Sequence, residues 1–149
     1  MLHDYTIKRV RGEELLSSWK HMAFFAGVIK EVAQTYSNGL QGRGVNPAEF
    51  ADRHYLAIAY LDDRPVGLIA GVIGPNILDK ERIILKQVLL YVRPGSLCAY
   101  ALLKEFIDFG RQTVDDIFTV IGAKTRIKPR TLERLGFSYC ESIYRMEVK

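Results

Sequence analysis

The segment Arg82–Gln112, RIILKQVLLYVRPGSLCAYALLKEFIDFGRQ, constrains the possible architecture more than any other part of the chain. From Ile83 to Val92 only Lys86 and Gln87 are strongly polar, so this run reads as a strand covered on both faces, in the middle of a sheet. Pro94 ends it, because proline cannot donate to a ladder. Ser96 is then placed to cap a helix, which would leave the amides of Leu97, Cys98 and Ala99 as free donors in its first turn. Within that helix Tyr100, Leu103, Phe106 and Ile107 form one apolar stripe, while Lys104, Glu105, Asp108 and Arg111 fall on the wet side. A buried strand that feeds a helix in this way can build an anion site at the helix start. It can equally be a plain corner.

The rest of the chain supplies partners for this unit. Tyr5–Val10 alternates weakly and reads as a first strand, closed by Arg11 and Gly12. Glu13–Tyr36 follows helical spacing, with a break expected near His21 or Gly27. Tyr36–Val45 holds three glycines and an Asn-Gly pair, the composition of a mobile loop able to cover a substrate; its Gln41-Gly-Arg-Gly also invites a phosphate-loop reading, although no apolar strand precedes it. Asn46-Pro47 starts a short helix that runs to about Arg53. Tyr55–Leu61 and Pro65–Ile73, separated by Asp62-Asp63-Arg64, read as an antiparallel hairpin, followed by a charged connection at Asp79–Arg82. Asp116–Ile121 is a short apolar strand expected in the sheet interior. A helix from Pro129 should stop at Gly136, and Ser138–Val148 should close the chain as a strand.

A length of 149 residues, with 48% hydrophobic and 26% charged, fits one domain with a real core, expected over 1–149. No apolar leader or spanning stretch is present, which points to an intracellular, cytoplasmic protein. Cys98 and Cys140 lack metal spacing and read as buried, reduced thiols, with Cys98 near a helix start the one whose pKa could fall. Residues 1 to 75 carry eight basic and eight acidic residues, so the whole net charge of +4 lies in residues 76 to 149. There Lys124, Arg126, Lys128, Arg130 and Arg134 face only Glu133, a field that favours phosphate on a cofactor or a nucleic acid, or else a solvated face.

This order of elements, with AYLDDRPVGLIAG as a hairpin, LLYVRP ending the central strand and LERLGFSYCESIYRMEV as the close, resembles the GCN5-related N-acetyltransferase (GNAT) superfamily over nearly the whole chain. The specific pieces are Gly67 early in the second hairpin strand, Leu90–Pro94, and Leu135–Phe137 after a short helix. The resemblance implies an α/β (α+β) acyl-CoA N-acyltransferase fold, with a mixed, mostly antiparallel sheet flanked by helices. It also implies transfer of acetyl from acetyl-CoA to a primary amine of a small molecule or a protein. The cofactor's pantetheine arm would pair with the backbone of Leu90, Tyr91 and Val92, and its pyrophosphate would lie on the turn formed by Gly95, Ser96, Leu97, Cys98 and Ala99. A carboxylate or water would take the amine proton and an acid, often tyrosine, would protonate the thiolate.

The sequence departs from the family pattern at two places. The usual Gln/Arg-x-x-Gly-x-Gly/Ala loop is missing, and Pro94 to Leu102 is shorter than the usual spacing. Counting back from Gly136, the position of the usual tyrosine holds Leu132, which leaves Tyr100, Tyr139 or Tyr91 as substitutes. Gln87 stands where a carboxylate is sometimes found and cannot take a proton, so Glu81, Glu31 and His54 are the candidate bases. Two other readings follow from the same departures. One is a catalytically degenerate member serving as an interaction or structural component, of the compact kind familiar among bacteriophage proteins. The other is a relative that binds RNA or modifies an aminoacyl-RNA through Lys124, Arg126, Lys128 and Arg130. A splayed strand also offers an edge on which a second copy can pair.

Overall fold

In the structure, a computed structural model that describes residues 4–36, 46–120, 127–140 and 146, a five-stranded sheet carries helices on both faces. The elements run β1 (Thr6–Arg9), α1 (Gly12–Ser17), α2 (Trp19–Tyr36), α3 (Pro47–Arg53), β2 (Tyr55–Leu61), β3 (Arg64–Asn76), β4 (Asp79–Val92), α4 (Ala99–Thr113), β5 (Asp116–Phe118) and α5 (Pro129–Arg134). The sheet order is β1-β2-β3-β4-β5, antiparallel except for the parallel pair β4–β5. The period of two in β2 divides the core. Tyr55, Ala57 and Ala59 meet Leu102, Leu103 and Phe106 of α4, while Leu56 and Ile58 meet Leu15, Phe25 and Val28 of α1 and α2. Burying both faces of β2 and β3 is what lets these strands be apolar throughout.

Four expectations need correction. The N-terminal helix breaks at Ser18, not at His21 or Gly27: Ser18 is extended, with φ −128 and ψ 105, and its oxygens accept from His21 N and Met22 N, so one residue ends α1 and caps α2. Asp79–Arg82 is not a connection but the first part of β4, and the turn falls at Ile77 and Leu78. β4 is not covered on both faces: Val88 is 53% exposed, and its first five residues are exposed. β5 is shorter than expected and, among the described residues, is the sheet's last strand.

Other expectations hold. Asn46 Oδ1 accepts from Glu49 N at 3.2 Å with Pro47 at the first helical position, and α5 starts at Pro129. The loop Tyr36–Val45 apart from Tyr36, Ile121 and the greater part of Ser138–Val148 lie outside the described residues; Ser138–Cys140, within them, are irregular, and Cys140 is exposed there rather than buried as expected, because no described element packs it into the core. No helix among the described residues is long and apolar enough to cross a membrane.

Candidate functional site

The site begins with a slip in the β4 register. Ala70 pairs with Leu89 and Gly71 with Gln87, so Val88 is an extra residue in β4, a β-bulge. Its effect on the strand is visible in the packing. Leu85 packs toward α4, and so do Leu90 and Val92, an odd-to-even switch that an uninterrupted strand could not make. Just before the bulge the sheet divides. The last β4–β5 pair is Lys86 with Phe118, after which β5 ends while β4 continues to Val92. Gln87 marks the apex of this fork. Its side chain is 6% exposed, accepts from the Thr119 hydroxyl, and donates to Val120 O at 3.5 Å. The buried amide is thus the link that holds the segment after β5 against β4 at the point of divergence.

At its far end β4 enters a tight turn. Ser96 N donates to Arg93 O at 3.0 Å, with Pro94 and Gly95 between them and Gly95 at φ +87, the pattern of a type II turn. A Cβ on Gly95 would meet nothing within 4 Å, so the residue is needed for its backbone angle and faces open space. Ser96 is not the cap of α4 that its place in the sequence predicts. Helix α4 starts at Ala99, with Cys98 at the cap position and no side-chain cap bond. Cys98 is fully buried, its Sγ 4.0 Å from Val66 O, and Gly67 makes room for it: a Cβ there would stand 2.6 Å from that sulfur. Burial also pushes the Cys98 thiol up to about 11, away from the reactive range. The amide of Leu97, expected to be free, donates to the Tyr5 hydroxyl at 2.9 Å. Those of Ala99, Tyr100 and Ala101 have no partner among the described residues.

The structure places the predicted acid and base candidates apart. Tyr100 stands in the first turn of α4, 51% exposed, beside the turn and off the buried stripe to which spacing had assigned it. Glu81 lies near the opposite end of β4, about 35 Å from Val92 at the rise of a strand. His54 ends α3, where its Nδ1 accepts from Ile73 N at 3.2 Å and its ring lies 5.1 Å from that of Phe50. Glu31 is exposed on α2, and Tyr139 is exposed after α5. Tyr91 packs on the α2 side, its ring edge-on to Phe24 at 6.3 Å. Of the basic residues, Lys128 and Arg130 are exposed at the start of α5, while Lys124 and Arg126 lie outside the described residues. Another cation stands at the turn itself: the Arg93 guanidinium lies 5.4 Å from the centre of the Phe24 ring.

A strand that leaves its neighbour, a turn with open space at Gly95, and unpartnered amides at the head of a 15-residue helix fit a long ligand with an anionic end. Comparison with solved structures gives the fold its relatives. The chain is similar to a ribosomal-protein-alanine N-acetyltransferase from Brucella melitensis biovar Abortus 2308 (16% identity, TM-score 0.68, 98% of this chain and 100% of that one). It is similar to an aminoglycoside acetyltransferase from an uncultured soil metagenomic sample (14% identity, TM-score 0.66, 98% and 99%). A third is an aminoglycoside N-acetyltransferase in complex with CoA (16% identity, TM-score 0.63, 97% and 99%). No family model matches the sequence, and no curated protein matches it.

Proposed function

Since the chain has the fold of the GCN5-related N-acetyltransferases, we propose that it transfers acetyl from acetyl-CoA to a primary amine. The observation that carries this reading is the fork between β4 and β5, closed at its apex by Gln87 and opening toward the Pro94–Cys98 turn. The main chain of Leu90–Val92 would hold the pantetheine arm, as an added strand pairs with an edge. Gly95, Ser96 and the head of α4 from Ala99 would receive the phosphates, with Arg93 adding positive charge. Acetyl-CoA, when bound, supplies the thioester whose C–S bond is exchanged for the amide C–N bond. Of the six candidate acid–base residues, Tyr100 stands beside this path and Tyr91 lies on it, its ring turned to the α2 side against Phe24. Glu81 and His54 stand away from it, and His54 Nδ1 is already an acceptor within the fold.

The acceptor classes to test first are those named for the structural relatives, an aminoglycoside and a ribosomal-protein alanine. Incubation with labelled acetyl-CoA and each amine should give the N-acetyl product with one equivalent of free thiol. Thiol release with no labelled amide from any primary amine would contradict the reading.

A further inference from the structure

We infer that Tyr5 is the positioning residue of the shortened phosphate turn, a role that rests on the acetyl-CoA reading of that turn. Between Pro94 and Ala99 the chain is tied down at three points. Ser96 N is bound to Arg93 O, the Cys98 side chain is buried against Gly67, and between them Leu97 N donates to the Tyr5 hydroxyl at 2.9 Å. The Leu97 side chain is 73% exposed and anchors nothing, so the Tyr5 bond is what fixes that residue's peptide. The ring that delivers the hydroxyl is itself held, half-buried against the α4 side of the core. The tether therefore runs from the chain's first strand region to the turn, across 92 residues of sequence.

A hydroxyl that accepts one hydrogen bond still has its own proton to give. The Tyr5 O–H has no acceptor among the described residues. Leu97 N–H to Tyr5 Oη to ligand phosphate is then a continuous donor chain. In it a phenol held by the core stands in for amides that a longer, glycine-rich loop would present. Tyr5 would act on the pyrophosphate end of the ligand and leave the thioester end untouched, and this separates it from residues that hold the arm.

The test compares wild type with Tyr5→Phe, which keeps the ring. Binding of acetyl-CoA and of acetyl-pantetheine, which lacks the pyrophosphate and nucleotide, is measured by calorimetry, and exchange of the Leu97 amide is followed by NMR without ligand. Tyr5→Phe should weaken acetyl-CoA about tenfold, in line with loss of a hydrogen bond to a charged group, leave acetyl-pantetheine unchanged, and speed exchange at Leu97. Unchanged acetyl-CoA affinity, or an equal loss for both ligands, would overturn the inference while the wild type still binds. Wild type that binds neither ligand would instead remove the underlying reading. Unchanged Leu97 exchange would refute the positioning role whatever the ligand does.

Discussion

At the scale of single residues, the site depends on side chains whose task is placement. Cys98 illustrates this: at the head of a helix it could have been a reactive thiolate, yet it is buried and held up to about 11, with burial as the cause. The sign of the pH effect follows from that direction. The folded protein keeps the proton that the unfolded chain releases above about pH 9, so this contribution to stability is complete below the unfolded pKa and is lost as pH rises toward 11. Burial moves Tyr60 the same way, up to about 12. Urea midpoints should therefore fall from pH 8 to pH 10.5, and Cys98→Ala should make the decline shallower. An identical slope in the variant would show that the thiol is not protected. Tyr5 belongs to the same scale and could not have been found from the sequence. Its link to Leu97 joins residues 92 apart, and neither motif nor periodicity marks it.

At the scale of elements, the legible parts were those whose signals are local. The Asn46-Pro47 helix start, the Asp62-Asp63 hairpin turn and the Pro129 helix start each rest on residues that fix a backbone angle or cap an amide. Asp62 and Asp63 do adopt positive φ, 51 and 62, as a two-residue hairpin requires. Misses came where period and burial disagree. Leu16 and Trp19 keep the helical spacing across Ser18 but are 72% and 76% exposed, so the pattern hid the break. Asp79–Arg82 looks like a loop because that end of β4 buries nothing. The bulge at Val88 was invisible because an apolar run carries no register.

The helix–strand contact that supports the turn can be tested directly. A Cβ on Gly67 in β3 would meet Cys98 Sγ at 2.6 Å, Leu102 Cδ1 at 3.0 Å and Tyr91 O at 3.1 Å. Because β3 backbone and α4 are both fixed, Gly67→Ala should cost about 1–3 kcal/mol, as overpacking of a close contact does. Removing the sulfur in Gly67→Ala/Cys98→Ala should recover part of that cost by denaturant melts, a coupling expected between touching residues. Independent, additive effects would mean that Gly67 is not there to admit Cys98.

At the scale of the whole molecule, the sheet among the described residues forks between β4 and β5, and the head of α4 stands at the end of the strand that leaves its neighbour. The fold was readable from the order of its elements and from Gly67, Leu90–Pro94 and Leu135–Phe137. The chemistry was less so, because a site made of main-chain donors, a strand edge and open space leaves few side-chain signatures. On the acetyl-CoA reading, the shortened turn still receives the cofactor's phosphates. Calorimetric titration with acetyl-CoA, on wild type and on Ser96→Glu, tests it most directly. Ser96 makes no side-chain cap for α4, so the added carboxylate opposes a phosphate without removing a cap. Wild type should bind with micromolar affinity and gain, at about a hundredfold excess over Kd, about 2.7 kcal/mol of stabilisation, or a Tm rise of about 5–10 °C. Ser96→Glu should bind at least tenfold more weakly with an unchanged Tm in the absence of ligand. No heat and no thermal shift at millimolar acetyl-CoA would mean that the turn does not receive the cofactor.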